Sequence, residues 1–277
     1  MGTFRAHDGT ELAYHLMGEG EPLICLPGGP MRASAYYGDL GGLSGHRQLV
    51  LLDLRGTGAS AVPADPESYR CDRQVGDVEA LRAHIGLEQV NLLAHSAGGN
   101  LALLYAARHP ERIRRLALIT PNAWALEMQA TAEERLAAAR LRSGEPWFEA
   151  AYTAFEAALS GQEPKDSFAP FFYGSWDAAA EAHAATDLEQ VNREAAARFG
   201  GPGAYDPPAA RAALRALEAP VLVLAGELDG APRPDRAGGP AALFPAGECV
   251  VQSGGGHFPW LDDPQWYVRT VARFLPL

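Results

Sequence analysis

Residues 89–100 read QVNLLAHSAGGN, and residues 101–107 continue as LALLYAA. An apolar run of strand length therefore meets a serine, Ser96, that has small residues on both sides. The following segment is rich in alanine and leucine, which favour a helix. A strand that turns sharply into a helix at a serine lifts the hydroxyl above the sheet, and small neighbours let the two elements approach closely. This pattern predicts a nucleophilic serine, although an ordinary strand–helix turn can carry the same residues.

The overall composition is that of a globular protein that binds neither nucleic acid nor a membrane. Of 277 residues, 47% are hydrophobic and 21% are charged, and the formal net charge is −11. A negative chain repels nucleic acid and anionic lipid. The amino terminus lacks the basic start and apolar core of a secretory signal, and no apolar run reaches the roughly 20 residues that span a bilayer. We therefore expect a cytoplasmic protein.

The cysteines suggest thiols that stay reduced. Cys25, Cys71 and Cys249 are far apart, and they form no CxxC pair or Cys/His cluster of the kind that binds zinc. Cys25 and Cys249 belong to apolar, strand-like runs, which predicts that both thiols are buried. The sequence thus implies no metal and no organic cofactor.

Buried strands and helices alternate along most of the chain. Short apolar runs, typical of strands covered on both faces, occur at 22–26, 48–53, 113–119, 220–225 and 249–252. A turn at Asp8-Gly9 followed by the alternating segment 11–16 predicts an antiparallel hairpin at the start. Helical spacing of apolar residues lies between the runs, as at 72–85. This order predicts an α/β fold with a mostly parallel, doubly wound sheet.

The alternation stops between about residues 122 and 205. This segment is rich in alanine, glutamate and arginine, has helical stretches at 131–141 and 147–159, and is crowded with aromatic residues. We predict a helical cap inserted after the sixth strand, with the cap at 122–205 and the core at 1–121 and 206–277. Most of the aromatic side chains should form the core of the cap, and a few should line a pocket.

Three residues follow buried strands and can act together: Ser96, Asp229 and His257. In an open α/β sheet, ligands bind beyond the carboxyl ends of the strands, so these residues should gather at one edge. A serine hydroxyl needs a base such as imidazole, and the imidazole needs a carboxylate that fixes its tautomer. The chain order Ser, Asp, His is that of α/β-hydrolases. We predict that Ser96 attacks, His257 transfers the proton and Asp229 orients His257.

An oxyanion hole requires two N–H donors directed at the developing negative charge. The residue after the nucleophile, Ala97, is expected to supply one. The glycine pair after the strand at 22–26 is expected to supply the other, from Gly29. The three glycines before His257 should leave its imidazole exposed.

Neighbouring polar residues offer alternatives to these assignments. Glu227 lies close to Asp229 in sequence, and His95 adjoins Ser96. We expect His95 to point away from the hydroxyl and to pack in the core or in a pocket wall. Asp53 and Arg55 could be catalytic, but a buried pair that stabilises their turn is the preferred interpretation.

The motifs resemble those of α/β-hydrolases and, within that superfamily, of the proline iminopeptidase-like serine peptidases. That group carries His-Gly-Gly-Pro-Gly, Asp-x-Arg-Gly-x-Gly-x-Ser, Gly-x-Ser-x-Gly, Gly-x-x-Asp and Gly-x-His. The corresponding segments here are PGGPM at 27–31, DLRGTGAS at 53–60, AHSAG at 94–98, GELD at 226–229 and GGH at 255–257. The departures are Pro27 for histidine, Met31 for glycine and Ala94 for glycine. The resemblance covers the core and leaves out the cap.

This resemblance implies a serine hydrolase that cleaves a small ester or amide through an acyl-enzyme intermediate. Proline iminopeptidase activity is the leading peptide alternative, and carboxylesterase or lactonase activity is the other. Serine at position 96 disfavours dehalogenase and epoxide hydrolase chemistry, which in this superfamily use aspartate there. A ligand-binding member without catalysis is the alternative from another class.

The expected partner is a small molecule or a short peptide, and the oligomeric state is left open. Proline iminopeptidases use glutamates of the cap to hold the free amine of the substrate. The cap of this chain offers several acidic residues without singling one out: Glu181, Asp187, Glu189 and Glu194.

Overall fold

The computed structural model describes residues 1–230 and 234–275, and within them eight strands form one sheet. The strands are β1 (Gly2–Arg5), β2 (Glu11–Met17), β3 (Pro22–Leu26), β4 (Gln48–Leu52), β5 (Val90–His95), β6 (Ile113–Ile119), β7 (Val221–Gly226) and β8 (Gly247–Gln252). Their order is β1-β2-β4-β3-β5-β6-β7-β8. The β1–β2 and β2–β4 pairs are antiparallel and all the others are parallel. The predicted amino-terminal hairpin and mostly parallel sheet are confirmed.

Helices connect the strands and cover both faces of the sheet. They are α1 (Val75–His84), α2 (Gly98–Arg108), α3 (Ala132–Arg140), α4 (Phe148–Leu159), α5 (Ala178–Ala185), α6 (Asp187–Gln190), α7 (Arg193–Phe199), α8 (Pro207–Leu214), α9 (Pro234–Ala242), α10 (Pro259–Asp262) and α11 (Pro264–Phe274). Over the described part of the chain, no helix combines the length and the apolar character needed to cross a bilayer.

The central strands are largely apolar because both of their faces are covered. Every residue of β5 and of β7 is buried. Successive side chains of a strand point to opposite faces, so Leu92 joins the core cluster on one side of the sheet and Leu93 joins the cluster on the other. The continuous apolar runs of the sequence therefore correspond to a three-layer arrangement.

The prediction that both Cys25 and Cys249 are buried is wrong for Cys249. Cys25 lies in β3 and is buried as expected, but Cys249 lies in β8 and is exposed. β8 is the last strand of the sheet, and most of its side chains are not covered by a helix layer. An apolar run alone does not distinguish an edge strand from a central one.

The expected pairing of Asp53 with Arg55 is also wrong, although both residues are buried. Asp53 Oδ1 accepts hydrogen bonds from the Ser34 N–H at 2.9 Å and from the Ser34 hydroxyl at 2.7 Å. The guanidinium of Arg55 instead donates to Asp77 at 2.5 and 2.6 Å and also contacts Asp8. Each buried charge is therefore compensated, and each connects the loop after β4 to a different part of the core.

The fully described segment from residue 120 to 220 adds no strand to the sheet. Helices α3 to α8 lie here, and part of the segment has its own small apolar core, formed by Ala139, Phe148, Ala151, Phe155 and Phe171. Two backbone hydrogen bonds join it to the loop after β3, from the Ala33 N–H to the Gln190 oxygen at 2.9 Å and from the Asn192 N–H to the Met31 oxygen at 3.0 Å. The helical segment after the sixth strand is therefore attached beside the carboxyl end of β3.

Candidate active site

Ser96 occupies a strained turn between β5 and α2. Its φ is +53°, in the left-handed region that residues other than glycine rarely adopt. The Ser96 N–H donates to the Ile119 oxygen at 3.0 Å, which ties the turn to the end of β6. A Cβ atom on Gly98 would lie 2.5 Å from the Leu26 oxygen, so only glycine fits there. The small residues of the sequence pattern are thus required by the close approach of α2 to β3.

Two short hydrogen bonds connect Ser96, His257 and Asp229. Ser96 Oγ lies 2.8 Å from His257 Nε2, and His257 Nδ1 lies 2.7 Å from Asp229 Oδ2. A carboxylate can only accept, so Nδ1 carries the proton, and Nε2 of the neutral ring is left to accept from the serine hydroxyl. The relative exposures are 6% for Ser96, 7% for His257 and 1% for Asp229. This arrangement can remove a proton from Ser96 out of contact with bulk water.

The burial of His257 corrects the expectation that its imidazole is exposed. The His257 N–H donates to the Phe172 oxygen at 2.7 Å, and the Phe172 ring lies 5.5 Å from the imidazole. A Cβ atom on Gly256 would lie 2.7 Å from the Phe172 oxygen. The glycines before His257 therefore make room for the segment around Phe172 and leave little room for solvent.

The second acid in the turn after β7 has a different place. Glu227 is exposed, and its carboxylate accepts from the Ser253 hydroxyl at 2.8 Å and from the Gly254 N–H at 2.7 Å. Of the two acids weighed from the sequence, Asp229 is the one that contacts His257.

The loop after β3 brings its two glycines against the serine. A Cβ atom on Gly28 would lie 2.8 Å from the Ser96 Cβ atom, so a side chain at position 28 would displace the turn. Gly29 lines the same cavity as Ser96. Within residues 1–230 and 234–275, no acceptor takes the N–H of Gly29. Ala97 is buried at the start of α2, next to the serine.

A buried relay, formed by Gly28, Tyr36 and His95, joins the glycine loop to the backbone of His257. The Gly28 N–H donates to the Tyr36 hydroxyl oxygen at 2.9 Å, and that oxygen lies 2.7 Å from His95 Nδ1. On the other side of the ring, His95 Nε2 lies 2.8 Å from the His257 carbonyl oxygen. His95 therefore points away from the Ser96 hydroxyl and lies in the cavity wall, as expected.

The direction of every hydrogen bond in the relay follows from its two ends. A carbonyl oxygen only accepts, so His95 Nε2 must donate to His257. A neutral imidazole has only one N–H group, so Nδ1 must accept a hydrogen bond from the Tyr36 hydroxyl. Burial, reinforced by the neighbouring His257, holds the pKa of His95 well below its ordinary value and keeps the ring neutral. The relay thus positions the glycine loop and the His257 backbone relative to each other.

Replacing Tyr36 by phenylalanine should lower kcat roughly 5- to 100-fold with a smaller change in KM. The variant removes the hydroxyl that accepts from Gly28 and donates to His95, and each buried polar group left unpaired costs about 1–3 kcal/mol. Steady-state kinetics on a small aryl ester measure the effect. The matched control is Tyr37→Phe, because the Tyr37 hydroxyl donates to the Leu26 oxygen at 2.6 Å and takes no part in the relay. Equal kcat losses in both variants would contradict a positioning role.

Because His95 is neutral in the folded protein, we expect the free energy of unfolding to depend on pH. Its pKa is lower in the folded state than in the unfolded state, where it is about 6.5. Below about pH 6.5 the unfolded chain binds a proton that the folded chain does not, so the free energy of unfolding falls by up to about 1.4 kcal/mol per pH unit. Urea unfolding of the native protein and of His95→Gln at about pH 5.5 and about pH 7.5 measures this slope. The slope should be smaller in the variant; an identical slope in both proteins would refute the assignment.

A cavity of about 870 Å³ opens above Ser96 and His257. Aromatic residues of the helical segment form both its own core and part of the cavity wall, and more of them line the cavity than the few that the sequence predicted. One group forms the segment's own apolar cluster, namely Phe148 and Phe155 with Phe171, and Trp147, Tyr152 and Phe168 pack against it. Another group lines the cavity, namely Trp124, Phe168, Phe172, Tyr173 and Trp176. The lining is mainly apolar with a few charged side chains, as in many small-molecule sites.

Several residues of this site carried no signal in the sequence. Tyr36 lies in a short 3₁₀ turn, Ser34–Tyr37, and reaches His95, 59 residues further along the chain. Arg32 follows the glycine loop, and its guanidinium donates to Thr186 Oγ1 at 2.8 Å and to Gln190 Oε1 at 2.9 Å. These contacts are non-local, so no spacing pattern could have revealed them. Within residues 1–230 and 234–275, no group of three or more His, Cys, Asp and Glu side chains is placed to hold a metal ion.

The sequence of this chain is similar to a known protein family and to curated proteins. The family described as alpha/beta hydrolase fold matches residues 21–264. A proline iminopeptidase from Lactobacillus helveticus is 38% identical over 117 residues, and the match spans 40% of each chain. The chain therefore covers less than half the length of this curated relative.

Solved structures match over nearly the whole chain. An esterase from Exiguobacterium antarcticum has a TM-score of 0.75 at 20% identity, with 99% of both chains covered. An esterase from a Rhodococcus species has a TM-score of 0.73 at 25% identity, with 99% of this chain and 98% of that chain covered. The similarity to the first of these is one of fold.

Proposed function

Because the chain belongs to the alpha/beta hydrolase fold family, we propose that it is a serine hydrolase that cleaves small carboxylic esters through an acyl-enzyme intermediate. The observation that carries the proposal is the pair of contacts beneath the cavity: Ser96 Oγ to His257 Nε2 at 2.8 Å, and His257 Nδ1 to Asp229 Oδ2 at 2.7 Å. Nucleophile, base and orienting carboxylate are thus within hydrogen-bond reach of one another.

In the first half of the reaction, Ser96 Oγ attacks the carbonyl carbon of the substrate as His257 Nε2 takes the hydroxyl proton. The carbonyl oxygen becomes an oxyanion, which the N–H groups of Gly29 and Ala97 stabilise. The imidazolium then gives its proton to the leaving alcohol as the carbon–oxygen bond of the ester breaks. Asp229 stabilises the imidazolium and keeps its Nδ1 proton in place.

In the second half, a water molecule attacks the acyl-enzyme. His257 takes a proton from that water and returns it to Ser96 Oγ when the acid leaves. The reaction consumes one water and yields one acid and one alcohol. No other group is required to balance the protons.

The charges in the cavity favour an ester over a peptide with a free amine. An amine site needs an uncompensated carboxylate. Asp187 lies 3.4 Å from the guanidinium of Arg32, so its charge is already paired. Glu181 lines the cavity but is exposed, and a solvent-exposed carboxylate binds an amine weakly.

Aminopeptidase activity on an amino-terminal proline is the second candidate. The local similarity to a proline iminopeptidase and the Gly28-Gly29-Pro30 segment favour it. Hydrolysis of p-nitrophenyl butyrate and of proline p-nitroanilide by the same preparation discriminates the two. We expect ester turnover to exceed amide turnover. Amide turnover without ester turnover would establish the second candidate, and no turnover of either compound or of related esters and amides would contradict a hydrolase.

We also propose that residues 122–205 act as a cap on a core made of residues 1–121 and 206–277. The supporting observation is that this segment supplies most of the residues that line the cavity, including Phe168, Phe172 and Trp176. The core supplies the reacting groups, and the cap selects the substrate.

A further inference from the structure

The cavity wall is rich in positive charge, although the chain as a whole is strongly negative. The full sequence has 34 acidic residues against 23 lysines and arginines. Among the described residues that line the cavity, four are arginines and two are acidic: Arg32, Arg135, Arg193, Arg236, Glu181 and Asp187. A wall of this sign favours an anionic ligand.

The four arginines are not equivalent. Arg32 is paired with Asp187, and Arg236 is paired with Glu134. Arg193 is exposed, so water screens its charge. Arg135 is half-buried, and it has no ion pair with any residue in the described ranges.

Arg135 has lost much of its hydration, and no carboxylate among the described residues forms an ion pair with its guanidinium. Its guanidinium stacks over Phe155 at 4.9 Å from the ring centroid, and its Nε atom is buried without a hydrogen bond. Burial lowers the pKa of the guanidinium, and the charge of Asp229, which is held by His257, partly opposes this. A desolvated cation is unfavourable unless an anion approaches it.

Arg135 lies close to the loop that carries Asp229, so its positive charge is near the proposed reacting groups. A Cβ atom on Gly230 would lie 3.8 Å from the Arg135 oxygen, so α3 passes over the loop that carries Asp229. A row of rings runs from the imidazole of His257 toward the guanidinium: Phe172 at 5.5 Å from His257, Phe168 at 6.0 Å from Phe172, and Phe155 at 5.5 Å from Phe168. Phe168 and Phe172 line the cavity, whereas Phe155 is buried in the core of the helical segment, so the wall combines an apolar surface next to His257 with the positive charge of Arg135.

We propose that the preferred substrates are esters that carry a carboxylate group separated from the scissile bond by an apolar spacer, with Arg135 binding the carboxylate. This inference rests on the proposed function, because it concerns the same cavity. The spacer would pack on Phe168 and Phe172, which line the cavity, and the planar guanidinium would donate two hydrogen bonds to the carboxylate. Arg135 is thus a specificity-determining residue of the cap.

The test compares matched pairs of esters that differ only in charge. One set consists of p-nitrophenyl monoesters of succinic, glutaric and adipic acids, each beside its uncharged methyl ester partner. Another pair is 4-acetoxybenzoate and its methyl ester, which place the charge on the leaving group. In the native enzyme we expect kcat/KM to favour the charged member of at least one pair by roughly 10- to 100-fold.

Variants then locate the preference. In Arg135→Met the ratio of kcat/KM for the charged and uncharged members should fall by a similar factor. The matched control is Arg140→Met, which removes the same charge from the same helix; Arg140 is exposed and lies over Tyr152, outside the cavity wall. Its ratio should stay at the native value.

The outcomes separate this inference from the proposed function. Hydrolysis of the uncharged esters without any preference for a charged partner would overturn the inference and leave the hydrolase intact. A preference that persists in Arg135→Met would also overturn it. Failure to hydrolyse any ester would count against the proposed function instead. Because the native preference is measured without a variant, an unstable Arg135→Met protein does not prevent the test.

Discussion

Replacing Ser96 by alanine is expected to lower kcat for a small aryl ester by about 10⁴- to 10⁶-fold. The variant removes the only atom that forms the covalent bond to the acyl group in the proposed mechanism. The methyl group of alanine fits the space of the serine side chain, so the turn between β5 and α2 should be retained. Residual hydrolysis would come from the oxyanion donors and from substrate binding alone.

Kinetics with active-site-saturating ester measure this loss. The control is Ser253→Ala, since Ser253 is an exposed serine whose hydroxyl donates to Glu227 and lies outside the cavity wall. It should keep kcat within about twofold, as expected for a surface change. A Ser96→Ala enzyme with a tenth or more of the native kcat would mean that another residue is the nucleophile.

Replacing Asp229 by asparagine is expected to lower kcat by about 10⁴-fold while the fold is preserved. The carboxylate of Asp229 accepts a hydrogen bond from the Nδ1–H group of His257, with an N-to-O distance of 2.7 Å. An asparagine amide can instead donate to Nδ1, which moves the ring proton to Nε2, where it faces Ser96 Oγ. The imidazole then cannot accept the serine proton.

Glu227→Gln is the matched control for this second prediction. It neutralises the other acid of the same turn, which is exposed and contacts Ser253 and Gly254. Its kcat should stay close to the native value. If Glu227→Gln lost as much activity as Asp229→Asn, the orienting carboxylate would have been assigned to the wrong residue.

The positions of Ser96, Asp229 and His257 at one edge of the sheet could be predicted because each residue follows a strand-like apolar run in the sequence. Ser96 and Asp229 follow buried strands and His257 follows the edge strand β8, and the carboxyl ends of parallel strands meet at one edge of a sheet. The small residues around Ser96 could be predicted as well, because the start of α2 packs directly against the end of β3. A Cβ atom at Gly98 would collide with the Leu26 oxygen.

Features that depend on distant packing could not be predicted in this way. Asp53 and Arg55 are two residues apart but have different partners, because their side chains leave the strand end in different directions. Cys249 is exposed because β8 is an edge strand, which only the strand order reveals. The relay through Tyr36 likewise arises from contacts between separate parts of the chain, and so does the position of Arg135 over Phe155.

The attachment of the helical segment at residues 122–205, the proposed cap, also could not be predicted from sequence patterns. The guanidinium of Arg32 donates to Thr186 and Gln190, and backbone hydrogen bonds join the same two segments. Arg32 directly follows the loop that holds Gly28 and Gly29. A shift of the proposed cap would therefore be transmitted to the proposed oxyanion donor, which would offer a physical route by which substrate binding affects catalysis.

The central claim is that Ser96 is a nucleophile activated by His257, and fluorophosphonate labelling tests it most directly. Phosphonylation requires an activated serine, so the reaction reports the nucleophile without assuming a substrate. Intact mass and peptide mapping should show one adduct per chain, located on the peptide that contains Ser96, and no adduct in Ser96→Ala. An unlabelled native protein, or a Ser96→Ala variant that is labelled as fast as the native protein, would contradict the account.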